Sequence, residues 1–431
     1  MRGNKTYMRS LDEAVQAREP LAAELFDQLR EATHDGFGIT RASYGEGEQL
    51  AHTLLSESAR SLGLEISHDA AGNTFMTLPG ADRLAPAIIV GSHLDSVAQG
   101  GNFDGAAGVI SGLLVAVAMK DSGMMPARDV KVMGIRAEEG EWFGVSYIGS
   151  RSALGLLPED TLDIAKRADT GRTLRKHMLQ MGCNPGALLS SAPSLPPTDV
   201  YGFIELHIEQ GPVLEELAIP VGVVTGVRGN CRLPSAKCIG EFSHCGGIPR
   251  THRRDAVAAV AELVSRLDNI WTDYENSGKD FAFTVGKLTT DKSQHAMSKI
   301  AGKVNFTLDM RSVDGAVLTE MEERVRKMTD EIARHRGVRF ELGEFIRVEP
   351  GVLSSKMREE FLDASRALDI NTIEMASGAS HDAAAFAAAG IPSAMLFIRN
   401  ANGSHNPYES MALPDFIYAT RILAWWLSNC L

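Results

Sequence analysis

The stretch of residues 87–108 places the strongest constraint on the fold, because an apolar segment leads straight into a run of polar residues. Residues 87–90 predict a buried strand that ends at Gly91, and His93 and Asp95 follow it. Side chains two positions apart in an extended chain point to the same side, so this imidazole and carboxylate can lie in contact. A metal-ligating histidine usually donates its second ring N–H to a carboxylate, which makes the pair a candidate ligand and its orienter.

Strands and helices alternate along most of the chain. The predicted strands cover residues 64–67, 73–78, 130–137, 201–209 and 393–398. The predicted helices cover residues 106–120, 355–368 and 382–389, with a closing helix from about residue 413. This alternation is typical of an α/β domain with a mixed, mostly parallel sheet and helices on both faces. In such sheets the ligand-binding and catalytic residues usually lie at the carboxyl ends of the strands.

The pattern changes at about residue 228 and returns to its earlier form after about residue 346. The predicted order between them is strand 231–242, helix 255–276, strands 281–288 and 303–311, helix 316–336 and strand 338–346. This β-α-β-β-α-β order indicates an inserted α+β domain of ferredoxin-like type. We therefore predict a catalytic domain made of residues 1–227 and 347–431, interrupted by a smaller domain of residues 228–346.

Length and composition narrow the class of protein further. A chain of 431 residues exceeds what one hydrophobic core holds, so more than one folding unit is expected. The net charge of −12, with no block of lysine and arginine, argues against nucleic acid or a membrane as a partner. The first residues predict no signal peptide, and no apolar run is long enough to span a membrane. The 5 cysteines, without a C-x-x-C pair, fit a reducing compartment, so we expect a cytoplasmic protein.

Candidate metal ligands stand at five separated places, at strand ends or in adjoining loops. They are His93, Asp104, the pair Glu138 and Glu139, His207 and His405. Each has an ordinary explanation alone: a helix cap for Asp104, a satisfied core histidine for His207, and solvated residues for the others. Because all five places converge on one sheet, the sequence predicts N and O ligands for two divalent metals, with Asp104 able to bridge them.

The two adjacent glutamates, Glu138 and Glu139, can have different roles. Neighbouring side chains on extended backbone diverge, so one carboxylate can bind metal while the other faces the substrate. A carboxylate in that place can act as general base toward a metal-activated water.

Several short motifs strengthen this interpretation, and they are spread over nearly the whole chain. They are G-S-H-L-D-S at 91–96, G-G-x-x-D-G-x-x-G at 100–108, E-E-G at 138–140, H-I-E-Q-G-P-V-L-E at 207–215, D-M-R at 309–311, H-D-A at 381–383 and S-H-N-P-x-E at 404–409. With them the sequence resembles the M20-type dinuclear metallohydrolases. Within that family it resembles the branch of N-carbamoyl-L-amino acid hydrolases, β-ureidopropionases and allantoate amidohydrolases, because peptidase relatives carry a carboxylate where His207 stands.

The resemblance implies a role for each candidate ligand. His93, Asp104 and His207 would hold one metal ion. Asp104, Glu139 and His405 would hold the other. Glu138 matches the general base of the family, and Asp95 matches the residue that orients the first histidine. Zinc is the expected ion, with manganese, cobalt and nickel as alternatives, since N and O ligands discriminate poorly among them.

The resemblance also implies substrate contacts and a homodimer, in which the inserted domain is a lid and dimerisation domain. His244 matches a histidine that stabilises the developing oxyanion, either in its own subunit or in the partner subunit. Gln210, Arg311 and His381 match substrate-binding residues, with Arg311 suited to a substrate carboxylate, although an arginine on a strand can equally be a surface residue.

The sequence departs from the branch where the substrate is held. Ser298 stands where relatives have an asparagine that contacts the substrate carboxylate, and Trp142 stands where they have an arginine. We interpret Trp142 as an apolar wall of the substrate site. The expected partner is a small-molecule substrate, a ureido or N-acyl amino acid.

We predict a metal-dependent amidohydrolase that cleaves the carbamoyl C–N bond of N-carbamoyl-L-amino acids or related ureido acids. An M20-type aminoacylase or dipeptidase is the alternative within enzymes. A non-catalytic metal- or ligand-binding module on the same scaffold is the alternative outside them.

Overall fold

The computed structural model describes residues 11–190 and 192–429. The chain forms two compact units: residues up to Thr225 together with those from Val352 onward, and residues Gly226–Gly351. The start of the chain, where no signal peptide is predicted, and Cys430 lie outside the described residues. Cys183, Cys231, Cys238 and Cys245 lie within them and are free thiols.

The strands, numbered in chain order, have the following bounds: β1 Glu65–His68, β2 Thr74–Leu78, β3 Ala87–His93, β4 Val130–Ile135, β5 Val200–Ile208, β6 Val221–Val227, β7 Gly229–Ile239, β8 Ser243–His244, β9 Ala282–Thr284, β10 Leu288–Thr290, β11 Lys299–Ile300, β12 Lys303–Ser312, β13 Arg339–Glu341, β14 Ile346–Val348, β15 Thr372–Ser377, β16 Ser393–Ile398, β17 Asn400–Ala401 and β18 Ser410–Met411.

The α-helices have the following bounds: α1 11–16, α2 Glu19–Thr33, α3 Glu46–Ser61, α4 Ala106–Asp121, α5 Gly140–Phe143, α6 Ile148–Ala153, α7 Thr161–Ile164, α8 Leu174–Gln180, α9 Pro185–Ser190, α10 Val213–Leu217, α11 Ala256–Asn276, α12 Gly315–Arg336, α13 Ser355–Ala367, α14 Asp382–Ala388 and α15 Leu413–Asn429. Short 3₁₀ turns lie at Pro197–Asp199, Arg250–His252 and Lys292–Gln294.

The first unit is built on an eight-stranded sheet in the order β1-β2-β4-β3-β5-β16-β6-β15. The four central strands run parallel to one another, and β2 and β6 pair antiparallel on either side of them. Strands β3 and β16 are buried along their whole length, as expected for apolar runs covered on both faces. The predicted α/β fold with a mixed, mostly parallel sheet is confirmed.

Alternate residues of the central strands face two different helical layers. Val90, Leu206 and Ile398 belong to the main apolar core with α4 and α15. On the other face, Phe386 of α14 stacks on Phe203 with ring centroids 3.8 Å apart. Because side chains alternate along a strand, this assigns His207, four residues after Phe203, to the α14 face.

The second unit has an antiparallel sheet in the order β10-β12-β7-β13, with β14 also paired to β7 and β9 to β12. Helices α11 and α12 pack their buried aliphatic side chains into one core with this sheet. Asp255 and Asp314 cap these helices by accepting hydrogen bonds from backbone N–H groups in the first turn. A role of this unit as a lid or dimerisation domain stays a prediction.

Several strand predictions were wrong in their bounds. Strand β4 ends at Ile135 and not at residue 137, and β7 covers Gly229–Ile239 and not 231–242. Strand β3 does not end at Gly91 but continues to His93, which pairs with Ile135 of β4. The strand predicted over 281–288 is divided into β9 and β10, and the one over 338–346 is divided into β13 and β14. Gly343 lies between the latter two with φ +75°, a left-handed conformation that interrupts a strand.

No helix among the described residues is long and apolar enough to cross a membrane.

Candidate metal centre

Two histidines lie side by side because of strand register. On the parallel neighbours β3 and β5, Val90 pairs with Ile204, and His93 and His207 each follow three residues later. They therefore reach the same level and the same face of the sheet, with ring centroids 5.5 Å apart. Their Nε2 atoms are 3.4 Å apart.

Each of these histidines is fixed through its other ring nitrogen. Nδ1 of His93 lies 3.0 Å from the backbone oxygen of Asp95, and Nδ1 of His207 lies 2.9 Å from that of Ile208. A carbonyl oxygen only accepts, so both Nδ1 atoms carry the hydrogen and donate. Neither Nε2 atom then carries a hydrogen, so each can bind a metal ion, and that of His207 also accepts from the backbone N–H of Gly105 at 3.2 Å.

Asp104 brings a carboxylate to these two Nε2 atoms. Its Oδ1 lies 3.2 Å from Nε2 of His93 and 3.1 Å from Nε2 of His207. Ligands on a tetrahedral ion with bonds of about 2.0–2.1 Å stand about 3.3–3.4 Å apart, so these separations fit one shared ion. Oδ1 of Asp104 is buried and receives no hydrogen bond. A buried anionic oxygen without a donor is costly, and a cation at this position would remove that cost.

A second group of possible ligands shares Asp104. Nε2 of His405 lies 3.5 Å from Oδ2 of Asp104 and 3.3 Å from Oε1 of Glu139. A further triad that could hold an ion joins His93 to Glu138 and Glu139. The structure thus brings together all six residues that the sequence analysis named as ligands or base, and Asp104 belongs to two of the three possible ligand groups.

The charge balance of the site also fits metal ions. Asp95, Asp104, Glu138 and Glu139 are all buried. Although burial opposes ionisation of Asp104, the adjacent imidazoles of His207 and His93 hold its pKa well below its usual range. Burial raises the pKa of Glu138 well above its usual range, and the charge of Glu139 adds to that shift. Clustered buried carboxylates need compensating positive charge, which divalent cations supply.

Asp95 connects the first histidine to the glutamate pair. Its Oδ1 accepts a hydrogen bond from the backbone N–H of Glu138 and its Oδ2 from that of Glu139, both at 3.1 Å. The hydroxyl of Ser43 donates to Oδ2 at 2.6 Å. His93 lies nearer to the backbone oxygen of Asp95 than to its carboxylate, which is 3.4 Å from Nδ1. The carboxylate therefore mainly holds the backbone of the two glutamates.

Two of the predicted substrate contacts lie beside the possible ligands. Nε2 of Gln210 donates to Oδ2 of Asp104 at 2.7 Å. The ring of His381 is buried with its centroid 4.5 Å from that of His207, and its Nε2 receives and donates no hydrogen bond. Burial, together with the neighbouring His207, holds the pKa of His381 well below its usual range.

The other three predicted contacts lie in the second unit. Strand β8, with the exposed His244, pairs with β11, and the N–H of Cys245 donates to the backbone oxygen of Ser298 at 2.9 Å. Nδ1 of His244 accepts from the N–H groups of Gly246 at 3.1 Å and Gly247 at 3.0 Å. Its Nε2 therefore carries the hydrogen and is a donor.

Arg311 lies on β12 and keeps its guanidinium next to a carboxylate of the same strand. Both its Nε and one terminal nitrogen are 3.2 Å from oxygens of Asp309.

Trp142 does not have the exposed position that an apolar wall requires. Its side chain is buried, at 8% exposure, in a core with Tyr44 and Phe143. Its Nε1 donates to the backbone oxygen of Ser96 at 2.7 Å. The interpretation of this ring as a substrate wall was therefore wrong, because a ring packed into a core has little surface to offer.

Three further residues support the centre without having been singled out from the sequence. The hydroxyl of Ser404 lies 2.5 Å from Oδ2 of Asp104 and from Oε2 of Glu409. Oε1 of Glu409 accepts from the N–H of Asp104 at 3.2 Å. Burial, with the charge of Asp104, raises the pKa of Glu409 to about 7. Both residues belong to the S-H-N-P-x-E motif, which could have indicated them.

The third of these residues is Arg41, which is fully buried. It donates to the backbone oxygens of Leu94 at 2.8 Å and Asp104 at 3.3 Å. Nothing in the sequence around it marks it as part of the site.

Comparison with known proteins adds independent findings. Residues 89–429 match peptidase family M20/M25/M40. An N-carbamoyl-L-amino-acid amidohydrolase of Paenarthrobacter aurescens is 33% identical over 397 residues, which cover 92% of this chain and 94% of that relative. An allantoate amidohydrolase of Bacillus subtilis is 30% identical and is covered over 89% of its length, against 88% of this chain. The crystal structure of a hydantoinase/carbamoylase family amidase from Burkholderia multivorans superposes with a TM-score of 0.85 at 26% identity, covering 96% of this chain and 97% of that one.

Proposed function

This chain belongs to peptidase family M20/M25/M40, and we propose that it cleaves the carbamoyl C–N bond of N-carbamoyl-L-amino acids or related ureido acids. The observation that carries the proposal is the buried Asp104 carboxylate, shared between two groups of metal ligands and lacking a donor at Oδ1. The names of the relatives support the ureido substrate class.

The proposed ligands are those brought together at the sheet edge. His93, Asp104 and His207 hold one ion, and Asp104, Glu139 and His405 hold the other. Zinc is the proposed ion, with manganese, cobalt or nickel accepted by the same N and O donors. When bound, two such ions supply Lewis-acid polarisation of a carbonyl and make water more acidic.

Glu138 is the proposed general base. Its Oε1 is buried and has no hydrogen-bond partner, so it is free to take a proton from the attacking water. Burial raises its pKa, which helps it hold that proton until the leaving nitrogen accepts it. Asp95 keeps its backbone in place. With a carbamoyl substrate, one water is consumed and the products are an amino acid, ammonia and carbon dioxide.

The remaining predicted residues bind the substrate in this proposal. Nε2–H of His244 donates to the developing oxyanion, in the same subunit or across a homodimer. Arg311 and Ser298 receive the substrate carboxylate, and Gln210 and His381 contact the reacting group. We place the enzyme in the cytoplasm, and light scattering after size-exclusion chromatography tests the dimer.

The test of this function is ammonia release from a panel of N-carbamoyl-L-amino acids and allantoate, with chelator-stripped protein and added Zn²⁺ or Mn²⁺. Metal-dependent release from a ureido substrate is the expected result. N-acetyl amino acids and dipeptides form the second arm. If they are cleaved and the ureido compounds are not, the enzyme is an aminoacylase or dipeptidase. If nothing in either arm is cleaved with any metal, the assignment as a hydrolase is wrong.

A further inference from the structure

The backbone that leads into the proposed base is held by buried side chains at four consecutive residues. The donors are the N–H groups of residues 136–139, and the acceptors, in chain order of the donors, are Asn73 at 2.9 Å, Glu48 at 2.8 Å, and the two oxygens of Asp95 at 3.1 Å each. Strand β4 ends at Ile135, so these bonds continue where the sheet no longer holds the chain. They fix the direction in which the glutamate pair leaves the sheet.

The second of these acceptors is Glu48. Its side chain is fully buried, and its Oε1 accepts from the N–H of Ala137. Its Oε2 accepts from the backbone N–H of Tyr44 at 2.7 Å and from the guanidinium of Arg136 at 2.9 Å. Both carboxylate oxygens thus accept hydrogen bonds.

Ala137 needs such support because its backbone is unusual. Its φ is +52°, in the left-handed region that residues with a Cβ rarely adopt. Because Ala137 immediately precedes Glu138, a return of its φ to an ordinary value would redirect the glutamate side chain. Backbone strain of this kind persists only where surrounding contacts enforce it.

We propose that Glu48 is a positioning residue for the hydrolytic reaction, which holds Ala137 in its left-handed conformation and thereby aims Glu138 at the water. The proposal rests on the function proposed above, since it assumes that Glu138 is the base. Glu48 acts through the backbone and does not touch the substrate.

Glutamine at position 48 tests whether both carboxylate oxygens are needed as acceptors, because it has nearly the same size as glutamate. A glutamine has a single oxygen, so its NH₂ group must face either the N–H of Ala137 or the donors of Tyr44 and Arg136. The E48Q variant therefore loses part of this support. The E360Q variant is a control for the loss of one carboxylate oxygen, because the half-buried Glu360 of α13 accepts a hydrogen bond from Trp426 of α15 at 2.7 Å.

Glycine at position 137 provides the decisive comparison. Glycine adopts positive φ without a steric penalty, so the A137G variant no longer needs to be forced into its conformation. We expect E48Q to lower kcat about 10- to 100-fold with little change in KM, as for a misplaced catalytic group. In E48Q/A137G most of this loss should be recovered, while E360Q keeps the wild-type kcat within about twofold.

A merely structural role for Glu48 gives different results. Folded E48Q with wild-type kcat would overturn the proposal, and so would an equal loss of kcat in E48Q and E48Q/A137G. If E48Q does not fold, E48D keeps both oxygens on a shorter side chain. The same loss and the same recovery by A137G are then expected, and a loss that A137G leaves unchanged contradicts the proposal.

Hydrogen–deuterium exchange of the metal-free protein separates this inference from the proposed function. The amides of Glu138 and Glu139, which Asp95 holds, should exchange faster in E48Q than in wild type, and A137G should restore their protection. Unchanged exchange refutes the positioning role even if the enzyme is active. If the wild type cleaves no substrate of either class, the proposed function fails, and the exchange still decides whether Glu48 holds this segment.

Discussion

Nε2 of Gln210 donates a hydrogen bond to Oδ2 of Asp104 over 2.7 Å. Gln210 has φ +63°, and its backbone N–H donates to the side chain of Asn400 at 3.0 Å. The glutamine of the H-I-E-Q motif is thus fixed against the carboxylate that both ligand groups share. It orients a proposed metal ligand in addition to any contact with substrate.

This relationship predicts weaker metal binding in a Gln210→Ala variant. Without the amide donor, Oδ2 of Asp104 is left with the hydroxyl of Ser404, which Glu409 shares, and we expect the affinity for Zn²⁺ to fall about 10- to 100-fold. Competition with a fluorescent chelator measures it. Gln28→Ala, which removes an exposed amide that donates to Glu24, is the control and should leave the affinity unchanged. Equal affinities of the two variants would contradict the prediction.

Substitution of the two neighbouring glutamates, Glu138 and Glu139, should have different effects on kcat and on bound metal. Glu138→Gln removes the proposed base, so kcat should fall about 10²- to 10⁴-fold while two metal ions per chain are retained. Glu139→Gln removes a proposed ligand and should reduce the bound metal. Metal analysis by mass spectrometry alongside kcat separates the two. Loss of metal in the Glu138 variant, with full occupancy in the Glu139 variant, would reverse the assignment.

Gly105 should be required for metal binding, although it is not a proposed ligand. A Cβ at this position would lie 2.6 Å from two ring atoms of His93, so Gly105→Ala must displace that histidine and weaken metal binding. Gly123→Ala is a closely matched control, because Gly123 has the same φ of +68° and nothing within 4 Å of its added Cβ. Both variants place a Cβ on backbone with positive φ, which L residues rarely adopt, so the comparison is made on metal affinity and not on stability. Only Gly105→Ala should lose Zn²⁺ affinity in the chelator assay, and equal affinities would show that His93 does not move.

His52 should make the metal-free protein less stable in weak acid. Its ring is fully buried, with Nδ1 2.8 Å from the hydroxyl of Thr74, and burial holds its pKa well below 6.5. As the pH falls, the imidazole of His52 is therefore protonated in the unfolded chain before it is protonated in the folded protein. The contribution of the neutral His52 to the free energy of unfolding is complete above about pH 6.5 and is lost below it. His52→Asn keeps a polar partner for Thr74 but does not titrate.

Urea unfolding of the metal-free protein at pH 7.5, 6.5 and 5.5 measures this effect. Relative to His52→Asn, the wild type should lose up to about 1.4 kcal/mol of unfolding free energy per pH unit below 6.5. Parallel pH profiles of the two proteins would show that His52 does not titrate between the folded and unfolded states.

The sequence predicted the parts of this protein that depend on local pattern and residue chemistry. Strand β16 was predicted at its observed bounds, and α4 to within one residue, because continuous apolar runs between polar or glycine-rich segments identify buried elements. The ligand set followed from residue types at strand ends. His93 and His207 are 114 positions apart in the chain, but parallel strands in one sheet carry their ends to the same edge.

The tertiary structure alone decided how that set is held. Glu48 and Ala137 are 89 positions apart, Ser404 and Asp104 are 300 apart, and both pairs are joined by hydrogen bonds that no periodicity encodes. The burial of Trp142 and the left-handed turn at Ala137 likewise have no signature in residue spacing. The physical reason is that a side-chain hydrogen bond depends on where two distant segments meet after packing. Local sequence determines which segments form, and packing determines which of their polar atoms face each other.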